Sequence, residues 1–322
     1  MIKKIDISHR TIIFVTIFLI GLWLLYLIRD LILILFVGLI LMSALNPLVN
    51  LFARVKIPRS LGIAITYIII IGIISGMLAI ILPPLVEQTT RLVVAMPPVI
   101  GQVFNITGID KSIFQSQLAD LSTNLFSITL SIFDNILTLI FLLVLTFYLL
   151  LERDNLENRA AILLLGREAR MKQLITKIEE KLGAWLRGQM LLSLIIGLVT
   201  YIGLLALNIP YALSLAVIAA ILEVIPVIGP IIAALPAIVV ALTISPILGL
   251  GVTAMYFVIQ QLENHLIVPQ VMKRAVGLNP LVVILAIAIG SRLLGIAGAL
   301  LAVPIAVVLQ IVVTEIIEER KI

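Results

Sequence analysis

Long apolar runs alternate with short charged loops along this chain. Runs near or above the ~18 residues that mark a spanning helix cover Thr11–Ile28, Leu31–Leu48, Leu61–Leu82, Leu130–Leu151, Met190–Leu207 and Ile247–Leu262. Two more, Tyr211–Leu242 and Leu281–Val313, carry internal breaks. The pattern predicts an all-α fold, a polytopic membrane helical bundle of about eight transmembrane segments that includes broken or re-entrant hairpins. The first run follows Lys3, Lys4 and Arg10 as a signal peptide would. Arg29-Asp30 and another apolar run come next in place of a small-residue cleavage site, so an uncleaved helix is expected.

The polar connections divide the chain into 1–82 (three N-terminal spans), 83–129, 130–151 (a fourth span), 152–187, and 188–322 (the region with broken hairpins). Basic residues orient it. Arg54–Arg59 holds three and no acid, and Glu152–Arg187 holds eight against six acids, whereas Pro83–Thr129 has only Arg91 and Lys111 against Glu87, Asp110 and Asp120. The positive-inside rule places the N-terminus and 152–187 in the cytoplasm and 83–129 outside.

Two stretches between spans have helical stripes. After Pro97-Pro98 and Thr107-Gly108, the residues Phe114, Leu118, Leu121, Leu125, Ile128 and Ile132 repeat at heptad spacing. A helix is expected to run from there into the fourth span, its stripe packed on its own subunit or on a neighbour in a homo-oligomer. In 152–187, Met171, Leu174, Ile175, Ile178, Leu182, Trp185 and Leu186 share one face, and Lys172, Lys177, Glu179 and Lys181 lie elsewhere. That helix is expected along the inner membrane surface, with packing against other loops as the alternative.

The interrupted runs carry the candidate chemistry. Glu223-Val224-Ile225-Pro226-Val227-Ile228-Gly229-Pro230 places two prolines and a glycine in five residues, with Pro236 beyond. Proline removes an amide donor and clashes with the preceding turn, so two half-helices joined at a break are expected. Broken backbone at membrane depth is tolerated where it is buried in protein or faces water, which points to a pathway or binding site. Glu223 sits at that break in apolar surroundings, and an intramembrane carboxylate is by default a functional candidate; solvation at an interface is the alternative.

The span ending at Leu262 closes on Gln260, Gln261, Glu263, Asn264 and His265, with Gln260, Glu263 and Asn264 on one face. The cluster suits a cavity wall or gate, or an interfacial cap. In the last run, Gly290-Ser291-Arg292, Gly295, Gly298 and Pro304 interrupt the apolar sequence. The stretches 229–236 and 295–304 share a form of glycine, small and apolar residues, then proline. If they enter from opposite sides, they make an inverted pair around a central site. The transport-pathway candidates are Glu223, Pro226, Gly229, Pro230, Gln260, Glu263, Asn264 and Arg292.

Composition narrows the class. Mean hydropathy is +1.27, with 62% hydrophobic and 12% charged residues; charged residues make up roughly a quarter of soluble domains. The net charge of +5 comes from loop residues where membrane topology expects them, which argues against nucleic acid as a partner. With no cysteine, disulfides, thiolate metal sites and a cysteine nucleophile are excluded. His9 and His265 are the only histidines, and no His-Glu-x-x-His helix, Gly-x-Ser-x-Gly elbow or Gly-x-x-x-x-Gly-Lys-Ser/Thr loop occurs. An enzyme, a metal, a cofactor and an internal ATPase are therefore not expected.

The break at 223–236, the run Gln261-Leu262-Glu263-Asn264-His265-Leu266-Ile267-Val268-Pro269-Gln270-Val271-Met272, the stretch Val276-Gly277-Leu278-Asn279-Pro280 and the segment Gly295 to Pro304 resemble the AI-2E transporter family. It is also called the autoinducer-2 exporter or PerM-like permease family, and the resemblance covers essentially the whole chain. It implies about eight spans in a prokaryotic inner membrane, homo-oligomerisation, and either export of a small signalling molecule or exchange of a cation for protons. Many relatives carry Asn where this chain has Glu223, a departure that favours a cation role here. A secondary transporter is expected; an oligomeric passive channel or a membrane scaffold is the alternative. Glu223 and Glu263 are the candidates for a coupling role that a channel would not need.

Overall fold

The computed structural model describes residues 9–107, 136–162, 168–226, 228–272 and 277–319. Among them there is no strand. The elements are α1 (His9–Leu27), α2 (Arg29–Arg54), α3 (Arg59–Thr107), α4 (Ile136–Ile162), α5 (Glu168–Ala206), α6 (Ala212–Leu222), α7 (Ile228–Ile244), α8 (Pro246–Leu262), a π-helical segment (Glu263–Ile267), α9 (Val268–Met272) and α10 (Pro280–Glu319). Among the described residues, five helices are long and apolar enough to cross a membrane, and the outward faces of the bundle are covered with large apolar side chains such as Phe14, Ile80 and Ile247. This is an all-α polytopic membrane bundle.

Two features differ from the sequence expectation. The third span does not end at Leu82: α3 continues through Pro83-Pro84 and Pro97-Pro98 to Thr107. At 1.5 Å per residue it is roughly 73 Å long, more than twice a bilayer core. The heptad stripe from Phe114 to Ile132, and with it the start of the span Leu130–Leu151, lies outside the described residues. The stretch 171–186 is not a separate helix on the membrane surface. It is the first half of the continuous α5, and Leu182 and Trp185 are buried against Ile40, Leu301 and Val303 of α2 and α10. The stripe therefore packs on its own chain.

A helix defect fixes α5 against α2. Pro47 lies inside α2 and cannot donate to the Ser43 carbonyl one turn earlier. Arg187 of α5 supplies the missing donor: its Nη1 donates to Ser43 O at 3.3 Å and Ala44 O at 3.0 Å. Gly183 makes room, since a Cβ there would lie 2.3 Å from Ser43 O. Ion pairs tie the same end together. Arg59 joins Asp154 at 2.7 Å, Arg153 joins Glu179 at 2.7 Å, and Arg170 joins Glu315. These link α3, α4, α5 and α10.

Both interrupted runs fold as hairpins. The first consists of α6 and α7, about 16 and 25 Å long, each short of a ~30 Å crossing. It packs through small residues, which let helices approach closely where lipid removes the hydrophobic drive between them. Ala233, Ala237 and Ala241 are fully buried, and Gly197 of α5 meets Ala220 of α6. The second hairpin lies within α10, where Leu294 (φ −134°, ψ 15°) and Gly295 (φ 60°, ψ −140°) leave the helical region. Its arms touch at Gly290 and Gly298, where a Cβ on either would meet the other's carbonyl oxygen at 2.3 or 2.0 Å. Ile225, in the turn of the first hairpin, packs on Ile287, Ala299 and Ala302 of the second.

Candidate functional site

The first break is shaped by one close approach. A Cβ on Gly229 would lie 1.9 Å from the Leu222 carbonyl oxygen, so only glycine lets the chain fold back over the end of α6. Pro226 and Pro230 flank it. Pro230 falls in the first turn of α7, where an amide has no helical partner to lose. The end of α6 leaves carbonyls unpaired in turn, and Gln189 of α5 donates its Nε2 to the Glu223 carbonyl at 2.9 Å. Gln189 lies two residues beyond Arg187, so the α2–α5 lock also aims this cap.

Glu223 and Glu263 meet here. Their side chains are 1% and 4% exposed and lie close enough to interact with each other. Two carboxylates this close and this buried repel each other when both are ionised. Among the described residues, no Lys or Arg pairs with either. The Gln260 Nε2 donates to Glu263 Oε2 at 3.2 Å and to Asn264 Oδ1 at 3.5 Å. Glu223 Oε2 is buried without a partner.

The backbone presenting Glu263 is a π turn, Glu263–Ile267, just ahead of Pro269, which cannot donate to the His265 carbonyl. Such widened turns recur at functional sites. This one buries Glu263 while Asn264 and His265 stay exposed.

The candidates thus divide. Glu223, Pro226, Gly229, Pro230, Gln260 and Glu263 gather around the break, and Asn264 sits at its margin. Arg292 does not join them: it is exposed beside the turn of the second hairpin, and no hydrogen bond or ion pair connects it to either glutamate. Its exposure follows from that turn, which aims 291–293 outward.

A cavity of about 280 Å³ lies beside the pair, between α5, α7 and α8, with Glu263 in its wall. Gln260, Glu263, Pro230, Thr200 and Tyr256 are among the residues that line it. The hydroxyls of Thr200 and Tyr256 are buried with no partner. Sequence reasoning missed Gln189, Thr200 and Tyr256; the last two are polar residues set within apolar runs, and Gln189 follows Arg187-Gly188 just before one. One signal was available for Tyr256: it recurs with Gln260 and Glu263 at helical spacing on one face.

Comparison with known proteins adds three findings. Residues 12–318 match the family described as AI-2E family transporter. The chain is similar to the putative transport protein YueF of Bacillus subtilis, 30% identical over 82% of this chain and 78% of that protein. It is also similar to the AI-2 transport protein TqsA of Escherichia coli K12, 31% identical over 83% and 80%, and to the putative permease PerM of the same strain, 26% identical over 79% and 78%.

Proposed function

This chain belongs to the AI-2E transporter family, and from that premise we propose that it is a secondary transporter whose coupling device is the Glu223–Glu263 pair. It moves a small molecule or a cation across a prokaryotic inner membrane against protons, with its N-terminus in the cytoplasm. The observation that carries this reading is the pair itself: two buried carboxyls brought together at a broken hairpin, with no basic partner among the described residues. A buried carboxyl pair without a cation is costly to ionise fully, so it holds or releases a proton as another charge or donor leaves or arrives. A passive channel has no use for such a device.

The two hairpins supply the frame. Each is a shorter arm, a turn and a longer arm, and Ile225 joins them; entry from opposite sides would make them the inverted pair on which alternating access is built. Assembly into a homo-oligomer fits the broad apolar faces of α1 and α3.

Proteoliposomes with a trapped pH-sensitive dye test the reading. Sodium and AI-2 serve as separate probes under an imposed proton gradient. Accumulation of at least one against its own concentration gradient, with matching proton movement, is expected. Flux of both that only runs downhill and ignores the proton gradient would mean a passive pore.

A further inference from the structure

The cavity beside the carboxyl pair has a mouth and a floor of different character. At its rim Ile231, Leu235 and Phe257 are 61%, 56% and 65% exposed, on the outward apolar surface of the bundle. At its floor Thr200, Tyr256 and Glu263 are buried. A space that opens through apolar side chains on a membrane protein opens to lipid, and its ligand reaches it through the bilayer.

The floor specifies the head of that ligand. The Thr200 and Tyr256 hydroxyls are buried and unpartnered although they line an open space; buried polar groups in native proteins are normally satisfied, so each lacks a partner that something else supplies. Gln260 spends its Nε2 on Glu263 and Asn264, which leaves its carbonyl oxygen to accept. Glu263 is the only charged residue in the lining, and no Lys, Arg or His joins it. The floor therefore welcomes donors and repels anions. Apolar walls with a few convergent polar groups are the usual make-up of a small-molecule site.

We propose that this cavity binds a non-anionic amphipathic molecule, with an apolar body and a head of amine or hydroxyl donors, which enters from the bilayer between α7 and α8. The proposal deepens the transporter reading and rests on it for the word cargo. A head that donates to Glu263 engages the carboxyl that faces Glu223, so binding of cargo and the protonation of the pair are linked at one residue.

The test is equilibrium binding of radiolabelled octylamine, octan-1-ol and octanoate to the full chain in nanodiscs, corrected with empty nanodiscs, without any gradient. Saturable binding of octylamine and octanol, and none of octanoate, is expected. Ala234→Trp fills the space and should abolish that binding, while Leu250→Trp, on an exposed part of α8 outside the cavity, should leave it unchanged. Thr200→Val and Tyr256→Phe preserve shape and should each weaken octylamine roughly two- to tenfold, the range of one lost hydrogen bond; they decide the matter if Ala234→Trp does not fold. Octanoate binding as well as octylamine, no saturable binding at all, or native affinity in both hydroxyl variants overturns the proposal. Because no gradient is used, saturable octylamine binding beside uncoupled flux would sink the coupling reading alone, and coupled flux without binding would sink this site alone.

Discussion

The hairpin at 212–244 turns through Glu223 and Pro226 with its carboxyl buried, whereas the hairpin at 280–319 turns through Leu294 and Gly295 with Arg292 exposed beside it. Both break a membrane helix, and both place small residues where their arms touch. The first break is closed over by other elements: Gln189 caps it, Glu263 meets its side chain, and the tip of Ile225 is covered. The second is finished by backbone geometry alone. A broken helix is therefore not by itself a site. It becomes one where the freed polar groups are buried against chemistry from another part of the chain.

The contrast can be broken at several points. Gly229→Ala should do the most damage, roughly 3 kcal/mol or more, because its Cβ meets backbone at 1.9 Å and the turn must open; thermal unfolding in detergent reads it. Gln189→Leu should follow, at about 1–3 kcal/mol, since the Glu223 carbonyl loses its donor in a buried place. Gly295→Ala should cost about 1–2 kcal/mol for its left-handed φ alone, as open space surrounds the added methyl. A larger loss for Gly295→Ala than for Gly229→Ala would reverse the assignment of which turn is tightly held. Arg292→Gln should be the mildest, changing unfolding by less than about 0.5 kcal/mol and leaving gradient-driven flux near the native rate.

Much of this was legible in the sequence, and its limits are physical. The break at 223–230 could be read because proline and glycine act on the backbone locally. Glu223 and Glu263 could each be singled out because a carboxyl in an apolar run is rare. That they touch could not be read, since it depends on how the first hairpin packs against the end of α8 and on the π turn that rotates Glu263 inward. The stripe through Leu182 and Trp185 was visible, but a stripe does not say what covers it; α2 and α10 do, where the membrane surface was expected. Arg292 was grouped with the pathway because it interrupts an apolar run, and only the turn at Leu294-Gly295 shows that it points away from the pair.

The central claim is that the carboxyl pair couples transport to protons, and it is tested most directly by comparing driven and downhill flux in Glu223→Gln and Glu263→Gln proteoliposomes with native protein. The account predicts that both variants lose accumulation driven by an imposed proton gradient while still exchanging substrate down its own gradient. Gradient-driven accumulation at the native level in both variants would contradict it.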